Sequence, residues 1–184
     1  MRGFPRMAIA KRKKRFFDVE IPSLKKETQL QAFEKAELDG RIMNYDLTRL
    51  LRGKNAILQL KVKVEADKAT ASPRQIKILP SYLKRMIRKG TDYVEDSFSA
   101  ECKGKQIRIK PLLVTRRKVS RAVRKALREK AKQELISYMK DKELENIFEE
   151  ILKNQLQKEL SLKLKKIYPL SLCEIRVLKI EKEL

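Results

Sequence analysis

Hydrophobic positions recur along this chain with two different periods, and the order of the two predicts an α+β fold. RFFDVEIP opens with Phe17, Val19 and Ile21 alternating against Asp18 and Glu20, the period of a strand. Leu24 to Leu38 keeps no clean period and supports a loop or a short helix. GRIMNYDLTRLLRGKN then supplies Ile42, followed by Tyr45, Leu47 and Leu50. AILQLKVKV alternates strictly from Leu58 onward, with Lys61 and Lys63 on one side, which predicts a strand with one wet face. Ala66-Asp67-Lys68-Ala69 makes a turn, and Ser72–Leu79 reads as another strand with Ile76 and Ile78 inward. Pro80 ends that strand. SYLKRMIRKG reads as a short helix with Leu83, Met86 and Ile87 on its apolar side, closed by Gly90 as a left-handed cap. TDYVEDSFSAEC and KQIRIKPLLVT form a hairpin about Lys103-Gly104-Lys105.

From Thr115 the period becomes helical. In TRRKVSRAVRKALREK, at 100° per residue, Val119, Ala122, Val123, Ala126 and Leu127 share one side. Arg117, Arg121, Arg124 and Arg128 fall on a line opposite, with Lys125 beside it. Leu135 would lie on the basic side of that helix, so a bend or break is expected between Ala131 and Lys140. Asp141 is a candidate N-cap for KELENIFEEIL, whose apolar side is Leu144, Ile147, Phe148 and Ile151. The stripe then shifts to Leu152, Leu156, Leu160, Leu164 and Ile167, which predicts a second helix or a kink near Lys153. Tyr168-Pro169 breaks the helix. SLCEIRVLKI closes as a strand, with Leu172, Glu174, Arg176 and Leu178 on one side and Cys173, Ile175, Val177 and Lys179 on the other.

Charge adds a partner to this picture. The 184 residues hold 46 Lys and Arg against 24 Asp and Glu, a net charge of +22 that calls for a polyanion. Apolar runs such as Pro111–Val114 are far too short to span a bilayer, and no signal peptide is legible, so the expectation is no membrane and a cytoplasmic location. Residues 1–15 carry seven Arg or Lys and no acid, without apolar periodicity, and are expected to be a disordered basic arm ahead of one folded domain, 16–184. Met7 is an alternative start, and the Lys11, Arg12, Lys13, Lys14, Arg15 cluster survives either choice.

Eight of the sixteen residues Thr115–Lys130 are Arg or Lys, and only Glu129 is acidic. Solvated charged faces usually alternate in sign, and this one does not. Arg presents a planar fork that fits phosphate oxygens, so the row reads as a helix laid on a nucleic-acid backbone. Lys84, Arg85, Arg88 and Lys89 form a second, weaker basic group.

Catalysis finds little support. The chain has no His, which removes the Ser-His-Asp and Cys-His arrangements and imidazole metal ligands. Cys102 and Cys173 lack paired spacing for zinc or redox work and read as small apolar residues. Glu101-Cys102-Lys103, with Asp92 or Asp96 upstream, is the one pattern that could serve a Mg-dependent nuclease, and chance explains it in so charged a chain. No cofactor and no metal are expected. Five Tyr, six Phe and no Trp make aromatic stacking an unlikely main mode of binding, with Phe16, Phe17 and Phe98 read as core.

Four pieces in order carry a resemblance: GRIMNYDLTRLL, the VEDSFSAE hairpin, the T-R-R helix entry at Thr115-Arg116-Arg117, and IYPL leading to IRVLKI. Together they resemble the small-subunit ribosomal protein family S-one-e, also called S-three-A-e, of archaea and eukaryotes. The chain stops at Leu184 without the longer ending of eukaryotic members, which suits an archaeal one. The resemblance implies an α+β fold with a mostly antiparallel, β-barrel-like sheet and helices on one side. It implies a non-catalytic constituent of the small ribosomal subunit, on the platform near the messenger RNA exit, bound to rRNA and neighbouring ribosomal proteins and close to mRNA. RNA contacts would then fall on Lys11–Arg15 and on Arg116, Arg117, Lys118, Arg121, Arg124, Lys125 and Arg128. The alternatives are the nuclease, or an RNA-binding or chaperone protein that acts off the ribosome.

Overall fold

The longest ladder in the computed structural model, which describes residues 13–51, 53–65, 68–140 and 142–183, joins two strands that the sequence places far apart. β8 (Lys105–Thr115) pairs antiparallel with β9 (Leu170–Glu183), from Lys105↔Glu183 to Thr115↔Leu170. Three register shifts interrupt it, so Ser171, Arg176 and Glu181 of β9 are each skipped as bulges. One shift falls at Lys110/Pro111, where a proline without an N–H would otherwise break a central ladder. The Arg176 bulge also changes which side of β9 is buried. Ile175 and Leu178 are both inward, so the uniform alternation expected for SLCEIRVLKI does not hold.

The described chain divides into two units. The smaller holds the described residues up to Arg41 together with Lys61–Ser72. In it β1 (Arg15–Ile21) and β2 (Lys26–Ala32) form an antiparallel hairpin, and β1 runs parallel to the start of β5 at Glu20↔Thr70. Val19, Ile21, Ala32, Leu38, Val62, Ala69 and Ala71 are its buried apolar residues. The segment 24–38, left between loop and short helix by the sequence, holds the strand β2 at its centre and a short 3-10 helix at Lys35–Leu38. The alternation of β2 is hidden because KETQLQA turns Thr28 and Leu30 only half inward and buries only Ala32. Arg15 belongs to β1, opposite Ala32, and not to the arm, while the rest of the arm up to Arg12 lies outside the described residues.

The larger unit holds Ile42–Leu60 and the described residues from Pro73 onward. It contains β3 (Ile42–Asp46), the first half of β4 (Ala56–Glu65), the second half of β5 (Lys68–Ile78), α1 (Pro80–Met86), β6 (Tyr93–Glu95), β7 (Phe98–Cys102), β8, β9 and three further helices. In β3 and just after it Met43, Tyr45 and Leu47 face inward in one phase, and Ile42 alone departs from the expectation. Met43 and Leu47 are buried and Ile42 is 50% exposed. The first strand of the expected hairpin is broken into β6 and β7 at Asp96-Ser97, both antiparallel to β8. Gly104, at φ +75°, completes the two-residue turn between Cys102 and Lys105. α1 stops at Met86, with Ile87 already extended, so Gly90 belongs to the following turn rather than to the cap.

α2 (Arg121–Lys140) is one continuous helix of 20 residues, with no break between Ala131 and Lys140. Its buried residues are Leu127, Ala131, Leu135 and Met139, each four apart. A four-residue step advances about 40° beyond a full turn, so this stripe winds round the helix and reaches Leu135 without any bend. The helix packs on β6 and β7 and on α4. α3 (Leu144–Leu152) and α4 (Gln155–Leu164) are separate helices, as the shift of stripe near Lys153 predicts. Asn154 at φ 57° separates them, and its side-chain amide oxygen accepts from Lys54 Nζ at 3.2 Å. Lys54 also meets Glu174 at 2.5 Å, a nearly buried pair. α3 caps on Glu143 without a side-chain bond, and the candidate cap Asp141 lies outside the described residues.

Strand pairing follows the order β2-β1-β5-β9-β8-β6, with β3 on β4, β4 on β5 and β7 on β8. Among the described registers only β1–β5 is parallel. The expected α+β class with a mostly antiparallel sheet is therefore present, but the series is open and forms no closed barrel. The polar strand β2 and the three-residue β6 end it as short edges.

Candidate nucleic-acid interface

Thr115 is the last residue of β8 and is fully buried, although it is polar. Its burial is possible because its hydrogen bonds are made. Its N–H donates to the carbonyl of Asp92 at 2.8 Å, and its hydroxyl oxygen accepts from Asp92 N–H at 3.0 Å. The hydroxyl hydrogen serves the carbonyls of Asp92 (2.9 Å) and Arg117 (2.7 Å). The carboxylate of Asp92 completes the clasp by accepting the N–H of Val119 at 2.9 Å through Oδ2. Asp92 and Thr115 thus hold both ends of the loop that carries Arg116, Arg117 and Lys118, all exposed.

Ser120 starts α2. Its carbonyl accepts Arg124 N–H at 3.2 Å, and its hydroxyl accepts Val123 N–H at 3.4 Å. The helix therefore begins after Lys118, and Arg117 joins the row from the loop and not from a helical turn. No acid occupies the first turn of α2, where the helix dipole already concentrates positive potential. Arg121, Lys125 and Arg128 are exposed. Arg124 departs from the row: it is half-buried, and its Nε is buried without a partner. Arg124 lies about 60° round the helix from Leu127, between the angles of Ala131 and Leu135, so it stands at the N-terminal end of the sector that those two residues bury. Among the described residues no ion pair engages Arg116, Arg117, Lys118, Arg121 or Arg128, and Lys125 makes only a long contact with Glu129 at 3.9 Å.

Lys84 and Arg85 on α1, and Arg88 and Lys89 just after it, are exposed. The Arg85 guanidinium lies 5.7 Å from the Tyr82 ring centre. In the smaller unit Lys13, Lys14 and Arg15 are exposed, while Lys11 and Arg12 lie outside the described residues.

Acids and bases beyond α2's midpoint behave differently, because they pair with each other. Glu134 meets Lys163 at 2.7 Å and Lys130 at 2.9 Å, tying α2 to α4. The hydrogen bond from Lys163, then that from Lys130, brings the Glu134 carboxyl down to about 2. Lys142–Glu150 and Lys153–Glu149 close similar pairs, at 2.5 Å and 2.8 Å.

The nuclease constellation does not assemble. Asp92 is committed to the Val119 N–H, Asp96 accepts Ser97 N–H at 2.8 Å, and Lys103 lies 3.7 Å from Glu143. Among the described residues no group of three or more His, Cys, Asp or Glu could hold a metal. Burial raises the pKa of Cys102 and pushes that of Cys173 up to about 12, so both thiols stay protonated. No helix among the described residues is long and apolar enough to cross a membrane. Sequence reasoning named Thr115 only as the entry to the basic helix and weighed Asp92 only as an alternative carboxylate of the rejected nuclease, so their clasp was missed. Their partnership spans 23 positions and leaves no local signal.

The profile of the ribosomal S3Ae family matches residues 10–183. The small ribosomal subunit protein eS1 of Nanoarchaeum equitans is 25% identical over 167 residues, covering 86% of this chain and 84% of that protein. Its counterpart in Methanothermobacter thermautotrophicus is 28% identical over 133 residues, 69% and 68% of the two chains. That of Pyrobaculum neutrophilum is 26% identical over 187 aligned positions, 95% and 84%. With nearly the whole length matched, the chain belongs to the ribosomal S3Ae family.

Proposed function

We propose that this protein is a structural constituent of the small ribosomal subunit that holds rRNA by its phosphates. Its family is one of ribosomal constituents rather than enzymes. The observation that carries the RNA reading is the exposed run Arg116, Arg117, Lys118, Arg121, Lys125 and Arg128. It is fixed by a buried clasp at one end and a packed helix at the other. So many cations on a rigid support, with only Lys125 near an acid, repel one another in the free protein, and an RNA backbone relieves that repulsion. An A-form major groove is too deep and narrow for side chains to read, so the contacts go to phosphate and ribose. Lys11–Arg15 add contacts of the same kind, Lys84, Arg85, Arg88 and Lys89 add weaker ones, and Arg124 contributes what its half-buried guanidinium still exposes. Membership of a family of small-subunit proteins supports rRNA and neighbouring ribosomal proteins as partners, and the place proposed for the chain is the platform near the mRNA exit.

Salt dependence tests the phosphate reading. Each neutralised phosphate contributes about 0.7 to 0.9 to the slope of log affinity against log salt. Replacing Arg121 and Arg128 together by Ala lowers that slope by about one to two units for small-subunit rRNA. An unchanged slope in a folded double variant would assign the row to another partner.

A further inference from the structure

We infer that the outward face of the β1–β2 hairpin is a stacking site for an unpaired nucleobase, built on Phe16 and Phe33. The inference rests on the RNA reading above but concerns a different surface and a different kind of contact. Alternation in β1 turns Phe17, Val19 and Ile21 inward and Phe16, Asp18 and Glu20 outward. Phe16 is therefore not core: it is 63% exposed. Its partner across the hairpin is Gln31, and the next outward position beyond Gln31 is Phe33, itself 38% exposed. Two phenyl rings thus stand on one face at the same end of the hairpin, although neither is needed by the buried side.

The end of the hairpin that carries them is held in place and is cationic. Phe33 N–H donates to Glu37 Oε2 at 3.0 Å, and the carbonyl of Gln31 accepts from Arg41 Nη1 at 2.9 Å. Lys14 Nζ lies 5.6 Å from the centre of the Phe33 ring; its sequence neighbours Lys13 and Arg15 are exposed, and Arg15, opposite Ala32, is in the other phase of the strand. A ring that offers a π-face with one ammonium group over it matches a nucleotide, whose base stacks while its phosphate meets the cation. Further along the same face stand Asp18, Glu20 and Glu27, all exposed, which repel phosphate and confine the strand to the Lys14 end. Bases inside a duplex are already stacked on each other, so the ligand is single-stranded, a loop, bulge or end. A docked protein segment is the competing occupant, but the Lys14 ammonium over the Phe33 ring favours a partner that carries its own negative charge at every residue.

The test uses the full chain and two RNA probes, a single-stranded oligouridylate and a blunt duplex of equal length. The chain has no Trp, so Phe16→Trp places one reporter at the site and keeps a stacking surface. Its fluorescence should fall with the single strand and stay level with the duplex. Phe16→Ala should weaken single-strand binding between about 5-fold and 150-fold, the range for one lost base–aromatic stack. Its salt slope should match that of the parent protein, because no charge has changed. Unquenched Phe16→Trp, or single-strand affinity unchanged in Phe16→Ala, would overturn the stacking site even if that face proves to dock a protein. If the parent protein binds the duplex through α2 while Phe16→Ala has no effect, only this inference fails. If it binds neither probe, the RNA reading falls with it.

Discussion

Asp92→Ala sets two physical effects of opposite sign against each other at the basic loop. The carboxylate accepts the Val119 N–H at 2.9 Å, and the Asp92 backbone holds Thr115 at the other end of the loop. Removing it raises the net charge by one, and by Coulomb's law alone RNA should bind tighter. The Asp92 charge is half-buried and already bonded to Val119 N–H, and its effect on RNA across the surface is worth about 1 kcal/mol. The hydrogen bond lost is to a charged acceptor, worth about 1.5–3 kcal/mol, and it releases a loop that RNA must then reorder. Fixing the backbone of each released residue costs about 1–2 kcal/mol. Order outweighs charge, and affinity for small-subunit rRNA should fall about 5- to 30-fold, or about 1–2 kcal/mol. Asp92→Asn removes the same charge but keeps an amide oxygen to accept Val119 N–H, so it should bind as well as the parent or slightly better. Filter binding at fixed salt, with circular dichroism to confirm folding, reads both variants. A folded Asp92→Ala that binds as tightly as Asp92→Asn would refute the idea that the clasp preorganises the loop.

Two other changes probe the frame behind the interface. Leu135 is buried on a continuous α2, so Leu135→Ala should cost about 2–5 kcal/mol in urea denaturation, whereas a helix bent away there would lose less than about 1 kcal/mol. The Glu134 carboxyl sits at about 2 in the folded protein against its ordinary 4.5, because Lys163 and Lys130 bond to its charged form. Its contribution is therefore complete above about pH 4.5 and is lost as pH falls through about 2, and Glu134→Gln should flatten that part of an acid-denaturation curve. The effect will be small, since water screens a partly exposed pair.

Much of the fold was legible wherever one face of an element is apolar and the other is not. β4, with Leu58, Leu60 and Val62 inside and Lys61 outside, is the clearest case, and the Asn154 break between α3 and α4 followed from a shifted stripe. β2 escaped because an edge strand over a small core needs few apolar residues. The bend expected in α2 came from projecting a straight stripe, whereas four-residue spacing from Leu127 to Met139 winds round the helix. Ile42 misled because hydrophobicity does not fix the phase of a short strand; pairing with β4 turns Met43 inward instead. The basic residues of the interface could be named from composition and spacing, but their support could not. Asp92 and Thr115 meet only after β6 pairs with β8, and the exposure of Phe16 depends on which side of β1 the rest of its unit covers.

Sedimentation of the native protein tests the central claim most directly. Cell extract from the source organism is separated on a sucrose gradient after a moderate salt wash, and the chain is detected by antibody in each fraction. A stable rRNA-bound constituent should co-sediment with small subunits in roughly equal amount to their other proteins, and nuclease treatment should release it. Recovery at the top of the gradient, with small subunits intact and lacking it, would contradict the account.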